Sequence, residues 1–202
     1  MIINKDSLEE VKYYIDSKWV KGFYLLTFFF GGVLMKKIIM IGGTMGVGKT
    51  TVSQSLKGIL NKSVFLDGDW CWNMHPFVVN EETKSMVMNN IVYQLNQFIH
   101  CSFIENIIFC WVMHEQSIID DILSRLDLVD CQVYCFSLIC KPSVLKMCIQ
   151  KDVDLGKRNQ DVLERSLERL GMYDRLNTIK LDVSELAVED AVKMISHLIQ
   201  EV

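Results

Sequence analysis

One glycine-rich segment, residues 43–50, limits the folds open to this chain more than any other feature. It reads GTMGVGKT and follows a continuous apolar run at residues 37–41. Such a run is typical of a strand that is buried on both faces. Apolar residues then recur at helical spacing over residues 49–60, which predicts an amphipathic helix. The segment is therefore a turn between a buried strand and a helix.

The same segment matches the pattern G-x-x-x-x-G-K-[S/T] at each fixed position. Glycines let the backbone curl so that successive N–H groups face one anion, and a helix N-terminus adds partial positive charge. Lys49 can reach the β- and γ-phosphate oxygens, and the Thr50 hydroxyl can ligate Mg²⁺. We therefore predict that this loop binds ATP or GTP. The predicted binding residues are Gly43, Thr44, Met45, Gly46, Val47, Gly48, Lys49, Thr50 and Thr51.

Strands and helices are predicted to alternate after this turn. Four further apolar runs are typical of strands, and they lie at residues 63–66, 106–113, 132–140 and 178–183. Asn80, with two acids after it, predicts the start of a long helix, and Pro142 suits the first turn of another. Strands separated in this way predict a three-layer α/β/α sandwich around a mostly parallel five-stranded sheet.

Residues 1–34 do not fit this alternation. The apolar stretch within them, residues 22–34, is shorter than the roughly 20 residues that a helix needs to span a bilayer. Met35 opens the sequence MKKIIMIGG, in which the first strand begins at once. We hypothesise that Met35 is the native start, so that residues 1–34 are an extension and residues 35–202 form the domain.

Composition excludes several classes of protein. Half of the residues are hydrophobic, which supplies a core, and the net charge of −4 argues against a broad nucleic-acid surface. The seven cysteines form no C-x-x-C motif and are accompanied by four histidines. These counts predict a cytoplasmic protein with reduced thiols, not a disulfide or zinc scaffold.

Two carboxylates, Asp67 and Asp69, follow the second predicted strand in the segment FLDGD. Ligands of open α/β sheets bind outside the carboxyl ends of the strands, so both side chains are expected near the phosphates. One can hold the water shell of Mg²⁺, and the other can accept the proton of an attacking hydroxyl. The alternative is an ordinary turn, because Asp-Gly is common in turns.

The loop followed by a strand that ends in FLDGD resembles the small P-loop kinases related to gluconate kinase, shikimate kinase and the nucleoside and nucleotide kinases. The resemblance extends from Met35 to about Ile199. It implies a kinase that uses ATP and Mg²⁺ and phosphorylates a hydroxyl of a small metabolite such as a nucleoside, nucleotide or sugar acid. By the same resemblance, Thr50 and Asp67 serve the metal, and Asp69 contacts or deprotonates the acceptor.

Such kinases also close a mobile lid whose arginines clamp the phosphates, and residues 151–169 are the candidate segment. Arg158 is the first choice, because it lies at the predicted junction of loop and helix. Arg165 is the second choice, and Arg169 follows it. A guanidinium can stabilise the charge of a transferring phosphoryl group. The alternative is a solvated face on which these arginines pair with neighbouring acids.

Two departures from the family pattern affect the functional prediction. Residues 145–151 contain no arginine where such kinases usually carry one, so Lys146 or Lys151 would have to replace it. The run at residues 107–113 does not end in Asp, which weighs against a motor or remodelling ATPase. His114 and Glu115 follow it as a candidate substrate contact and a substitute acid. The missing arginines keep open an ATP-binding regulatory protein with weak or no phosphoryl transfer.

The acceptor itself is poorly defined by the sequence. Aromatic side chains after the paired aspartates could stack on a planar base or cap the core, and two asparagines in the next helix could read hydroxyls. The negative net charge weighs against a kinase that acts on the 5′-hydroxyl of a nucleic acid. A monomer or homodimer is expected. The side chains in question are Trp70, Trp72, His75, Phe77, Asn89 and Asn90.

Overall fold

The computed structural model describes residues 2–3, 35–159 and 161–200. Its sheet has six strands in the order β1-β6-β5-β2-β4-β3, and each paired neighbour runs parallel. The strands are β1 (Ile2–Ile3), β2 (Lys36–Gly43), β3 (Ser63–Asp67), β4 (Asn106–Trp111), β5 (Cys131–Ile139) and β6 (Ile179–Asp182). The predicted parallel α/β architecture is confirmed.

Six α-helices connect or flank these strands in the described part of the chain. They are α1 (Lys49–Ile59), α2 (Glu81–His100), α3 (Gln116–Ser124), α4 (Pro142–Asp154), α5 (Val162–Leu170) and α6 (Val188–Gln200). Short 3₁₀ helices span Gly68–Trp72 and Tyr173–Arg175. None of the helices in the described ranges is long and apolar enough to cross a membrane.

The strand count differs from the prediction, because five strands were expected and the sheet contains six. The additional strand is β1, where Ile2 lies opposite Lys180 and Ile3 lies opposite Leu181 of β6. Two residues are too few for an apolar period to be read, and only pairing with β6 defines them as a strand. Residues 4–34, which make up most of the predicted extension, lie outside the described residues. The domain boundary at Met35 stays a prediction.

Strand β2 lies at the centre of the sheet and contributes to both cores. Ile39 and Ile41 pack with α1 and α6 residues on one face, whereas Ile38 and Met40 pack with α2 and α3 residues on the other. Successive side chains of a strand point to opposite faces, so a strand with helices on both faces must be apolar at each position. This burial holds the carboxyl end of β2, and with it the loop at residues 43–50, in a fixed place.

The predicted helix starts are confirmed by local hydrogen bonds. The Thr83 N–H donates to Oδ1 of Asn80 at 2.8 Å, and the Asn80 N–H donates to Oγ1 of Thr83 at 2.9 Å. These reciprocal bonds form a capping box at the start of α2. Pro142 occupies the first turn of α4, where its missing N–H costs no helical hydrogen bond.

Truncation of α1 gives a test of this packing. Leu56 is fully buried and Ile59 on the same helix is 58% exposed. We expect Leu56→Ala to lower the free energy of unfolding by about 2–5 kcal/mol, because it leaves a cavity in the core. Ile59→Ala is the control and should change it by less than about 0.5 kcal/mol. Urea denaturation followed by circular dichroism measures both, and equal effects would contradict the packing described.

Candidate active site

The glycine-rich loop at residues 43–50 joins β2 to α1, as predicted. Gly46 has φ of 84° and Gly48 has φ of 101°, a region that side chains with a Cβ rarely adopt. A Cβ on Gly46 would also lie 2.5 Å from Cγ1 of Ile149 on α4. Glycine is therefore required at Gly46 both for the backbone turn and for the close approach of α4.

The loop is tied to helix α5, most of which lies within the predicted lid segment, residues 151–169. Thr44 is fully buried, and its hydroxyl donates to the backbone carbonyl of Ser166 on α5 at 2.9 Å. The Lys49 amine donates to the carbonyl of Thr44 at 3.0 Å, so Thr44 contacts both α5 and the loop lysine. The Thr44 side chain thus joins helix α5 to the glycine-rich loop by a direct hydrogen bond.

Lys49 is half-buried and lies in an electrostatic environment shared with the paired aspartates. Crowding by protein atoms lowers the pKa of its amine, and the negative charges of Asp69 and Asp67 oppose that shift. The positive charge of Arg158 lowers the pKa of Lys49 further. The ammonium group of Lys49 has lost hydration, and the aspartates compensate for only part of that loss. An anionic ligand would stabilise the remaining charge, so this position favours the binding of an anion.

Thr50 and Asp67 are brought into direct contact. The Thr50 hydroxyl donates to Oδ2 of Asp67 at 2.8 Å, and the Asp69 N–H donates to Oδ1 of Asp67 at 3.1 Å. Asp67 is the last residue of β3 and is only 6% exposed. Hydroxyl and carboxylate oxygens are the ligands that Mg²⁺ prefers, so this pair fits the predicted metal site.

Cys110 lies opposite Asp67 in the ladder between β3 and β4. Burial raises the pKa of its thiol to about 12, and the charge of Asp67 acts in the same direction. The thiol therefore stays neutral at physiological pH. Within the described residues no group of three or more His, Cys, Asp or Glu side chains could hold a metal ion.

Asp69 lies at the exposed mouth of the site, and the indole N–H of Trp111 donates to its Oδ1 at 3.1 Å. Desolvation by surrounding atoms raises the pKa of the Asp69 carboxyl, and the charge of Asp67 raises it further. Lys49, the Trp111 hydrogen bond and Arg158 oppose this shift. A carboxylate with a raised pKa is a better proton acceptor than an ordinary one.

Trp111 was missed by the sequence reasoning. It ends β4, and its ring lies so close to Gly68 that a Cβ there would be 2.6 Å from Cγ of the indole. The glycine between the two aspartates therefore leaves the space that the tryptophan needs. The sequence carried one signal for this contact: a tryptophan ends β4, and the neighbouring strand β3 ends at Asp67, two residues before Asp69.

A cleft of about 320 Å³ opens between the loop and the predicted lid. Gly46 and residues 48–51 form one wall, and the other wall includes Lys151, Lys157 and Arg158. Arg158 donates from Nε to Oδ2 of Asp152 at 2.9 Å. Three of the predicted basic side chains, Lys49, Lys151 and Arg158, thus face one cavity.

Other predicted residues lie elsewhere. Arg165 is exposed and pairs with Asp161 at 2.7 Å, and Asn89 accepts a hydrogen bond from Arg125 at the end of α3. The His114 ring lies 3.6 Å from the Glu115 carboxylate, just past β4. Of the three arginines in the predicted lid segment, residues 151–169, Arg158 is the one that lines the cleft.

Comparison with known proteins places this site in a family. A family model described as "AAA domain" matches residues 39–168, which include the loop, both aspartates and the predicted lid except its last residue. The chain belongs to this AAA domain family. No curated protein matches the sequence. The AAA domain here is built around a P-loop, and the earlier resemblance to small P-loop kinases is confirmed.

Solved structures show the same fold at low sequence identity. The tunicamycin resistance protein of Deinococcus radiodurans is 17% identical with a TM-score of 0.61, covering 81% of this chain and 95% of that one. A gluconokinase from Sinorhizobium meliloti 1021 is 16% identical, with a TM-score of 0.60 and coverages of 84% and 94%. Shikimate kinase from Acinetobacter baumannii in complex with shikimate is 18% identical, with a TM-score of 0.56 and coverages of 83% and 94%.

The role of Trp111 can be tested without any substrate. Its N–H donates to the carboxylate of Asp69, which favours the charged form and holds the pKa down. We expect Trp111→Phe to raise the pKa of Asp69, because the donor is lost while the ring is kept. The measurement is a ¹³C-carboxyl NMR titration, with the Asp69 signal assigned by its loss in Asp69→Asn.

Trp70→Phe is the matched control, because Trp70 packs edge-on against Phe65 at 5.3 Å between ring centroids. This variant should leave the Asp69 titration unchanged. An unaltered midpoint in Trp111→Phe would show that the indole does not influence the carboxylate.

Proposed function

We propose that this chain is a Mg²⁺- and ATP-dependent kinase that phosphorylates a hydroxyl of a small metabolite. The observation that carries the proposal is the placement of Asp69 beside Lys49 and the Thr50–Asp67 pair at one edge of the sheet. This arrangement joins an anion-binding loop, oxygen ligands for a metal and a proton acceptor. The fold that the chain shares with gluconokinase and shikimate kinase supports the same reaction class.

The loop residues 43–51 would bind the phosphates of ATP. Their backbone N–H groups and the N-terminus of α1 supply partial positive charge, and Lys49 supplies a full charge. Mg²⁺, held by Thr50 and Asp67, would neutralise charge on the β- and γ-phosphates. Arg158 faces the same cleft from the lid and would clamp phosphate oxygens once Asp152 releases it.

Transfer then requires little covalent chemistry from the protein. The acceptor hydroxyl oxygen attacks the γ-phosphorus, the bond from that phosphorus to the β–γ bridging oxygen breaks, and ADP leaves. The hydroxyl proton passes to Asp69, whose raised pKa suits it to accept that proton. The catalytic residues in this proposal are Lys49, Asp67, Asp69 and Arg158.

A regulatory ATP-binding protein is the second candidate. The observation that favours it is that Arg158 is already held in an ion pair with Asp152. Helix α4, which contains Asp152, has no arginine that could take the place of Arg158. Such a protein would bind ATP and transfer phosphate poorly. ADP production that rises only when an acceptor is added distinguishes the kinase from this alternative.

The net charge and the cysteines bear on the acceptor class and on the cellular location of the proposed kinase. The acidic net charge supports a small-molecule acceptor in preference to nucleic acid. Reduced cysteines support a cytoplasmic location, and all seven are free in the structure. A monomer or homodimer is proposed.

Substitution of the loop lysine tests the proposal most directly. We expect Lys49→Ala to abolish acceptor-dependent ADP release, because the charge that faces the phosphates is lost. Asp69→Asn should lower turnover by about two orders of magnitude or more while ATP binding persists, since a general base is removed. Lys57→Ala, an exposed position on the same helix as Lys49, is the control. Turnover by Asp69→Asn at the wild-type rate would remove Asp69 from the mechanism.

Two arginines with similar ion pairs separate a lid role from a surface role. Arg158 and Arg165 each pair with an aspartate, at 2.9 Å and 2.7 Å, but Arg158 lines the cleft. We expect Arg158→Ala to lower turnover at least tenfold, as loss of a charge-stabilising donor does elsewhere. Arg165→Ala should retain most activity. Steady-state ADP release measures both, and equal effects would exclude a specific role for Arg158.

A further inference from the structure

The side chain of Thr44 is buried in the protein, although the residue belongs to the glycine-rich loop. Thr44 is fully buried, whereas Lys49 and Thr50 of the same loop line the cleft. The Thr44 hydroxyl donates to the backbone carbonyl of Ser166 on α5 at 2.9 Å. The motif G-x-x-x-x-G-K-[S/T] leaves this position open to any residue. The motif therefore gives no reason for a buried hydroxyl here, and the contact with α5 gives one.

The acceptor of this hydrogen bond lies in a regular and buried element. Ser166 is fully buried within α5, and its own hydroxyl donates to the carbonyl of Val162 at 2.7 Å. Leu163 and Leu167 of the same helix pack against the core. A carbonyl oxygen has two lone pairs, so one that lies in a helix can also accept the Thr44 hydroxyl. The Ser166 carbonyl is therefore a well-held point of attachment for the loop.

The backbone carbonyl of Thr44 accepts hydrogen bonds from within the loop. The Lys49 amine donates to it at 3.0 Å, and the Val47 N–H donates to it at 3.4 Å. One residue thus bonds to α5 through its side chain and to the loop through its carbonyl. A rotated Thr44 would displace the acceptor of both loop bonds. The position of the Lys49 amine therefore depends on how Thr44 is held.

The glycine content of the loop makes such an attachment important. Residues 43–50 include three glycines, which restrict the backbone less than other residues do and lose more entropy when it is held in one conformation. The contact between Gly46 and Ile149 is apolar and has no direction, whereas a hydrogen bond requires a defined geometry. A site that is already arranged for its ligand binds it more tightly. The bond to α5 supplies part of that arrangement.

We propose, on the basis of the kinase function proposed above, that the Thr44 side chain is a positioning group for ATP binding. Its hydroxyl, held by the Ser166 carbonyl, fixes the Thr44 peptide group and with it the resting position of the Lys49 amine. The hydroxyl acts on the nucleotide through Lys49 and the loop backbone and does not touch the nucleotide itself. The alternative is that the Thr44 side chain only fills space beside α5, and it predicts a different order of variants.

Two substitutions separate the hydroxyl of Thr44 from its methyl group. Thr44→Val keeps the branched shape and removes the donor, whereas Thr44→Ser keeps the donor and removes the methyl group. A fluorescent, non-hydrolysable ATP analogue is titrated into each protein with Mg²⁺ and without an acceptor. Circular dichroism confirms that each variant is folded at the temperature of the titration. Thr178→Val is the matched control, because the Thr178 hydroxyl bonds to that of Ser137 at 2.7 Å, outside the loop.

We expect Thr44→Val to weaken binding of the analogue about three- to tenfold, which is the effect of one lost hydrogen bond. Thr44→Ser and Thr178→Val should bind within about twofold of the wild type, because both keep the bond between the loop and α5. If Thr44→Val does not fold, Thr44→Ala takes its place, and it should bind the analogue more weakly than Thr44→Ser by the same factor.

Three results would overturn the inference: binding by Thr44→Val as tight as that of the wild type, binding by Thr44→Ser no tighter than that of the variant without the hydroxyl, or an equal loss in Thr178→Val. The wild-type titration separates these from failure of the kinase proposal. If the wild-type protein does not bind the analogue, the proposed function fails and this inference fails with it. If it binds and the variants show one of the three results, only the role of Thr44 fails.

Discussion

Electrostatic compensation between Lys49 and the two aspartates is the interaction on which the rest of this site depends. Protein atoms crowd Lys49 and Asp69, which penalises the charged forms of both groups, and the opposite signs of the two charges offset part of that penalty. Asp67 also accepts hydrogen bonds from Thr50 and from the Asp69 backbone, so its carboxylate is held in one orientation. Charges arranged in this way favour a ligand that brings both anionic and cationic groups, as the Mg²⁺ complex of ATP does.

Packing links this electrostatic centre to the segment that would close over it. The methylene of Gly46 lies against Ile149 of α4, and the Thr44 hydroxyl is bonded to α5. The residues between these helices carry Lys157 and Arg158, which line the cleft opposite the P-loop. The same two helices therefore contact the loop and flank Arg158, which forms an ion pair with Asp152.

Much of the fold was predictable because its signals are local. The alternation of apolar runs with helical periods, the capping residue Asn80 and the helix-starting Pro142 each depend on neighbours in sequence, and each was confirmed. The two-residue strand β1 carries no such period and is defined only by pairing with β6. Trp111 was missed for a similar reason, because its contact with Asp69 joins residues 42 positions apart.

The sequence by itself determined the chemical groups: a P-loop with its lysine and threonine, two carboxylates at a strand end, and a basic segment after α4. Those assignments depend on residue type and short spacing. Only the tertiary structure decided which groups meet. It paired Thr50 with Asp67, placed Arg158 but not Arg165 against the cleft, and brought the Trp111 indole into hydrogen-bond contact with Asp69. Parallel strands bring distant segments to one edge of the sheet, and no local pattern records which side chains then touch.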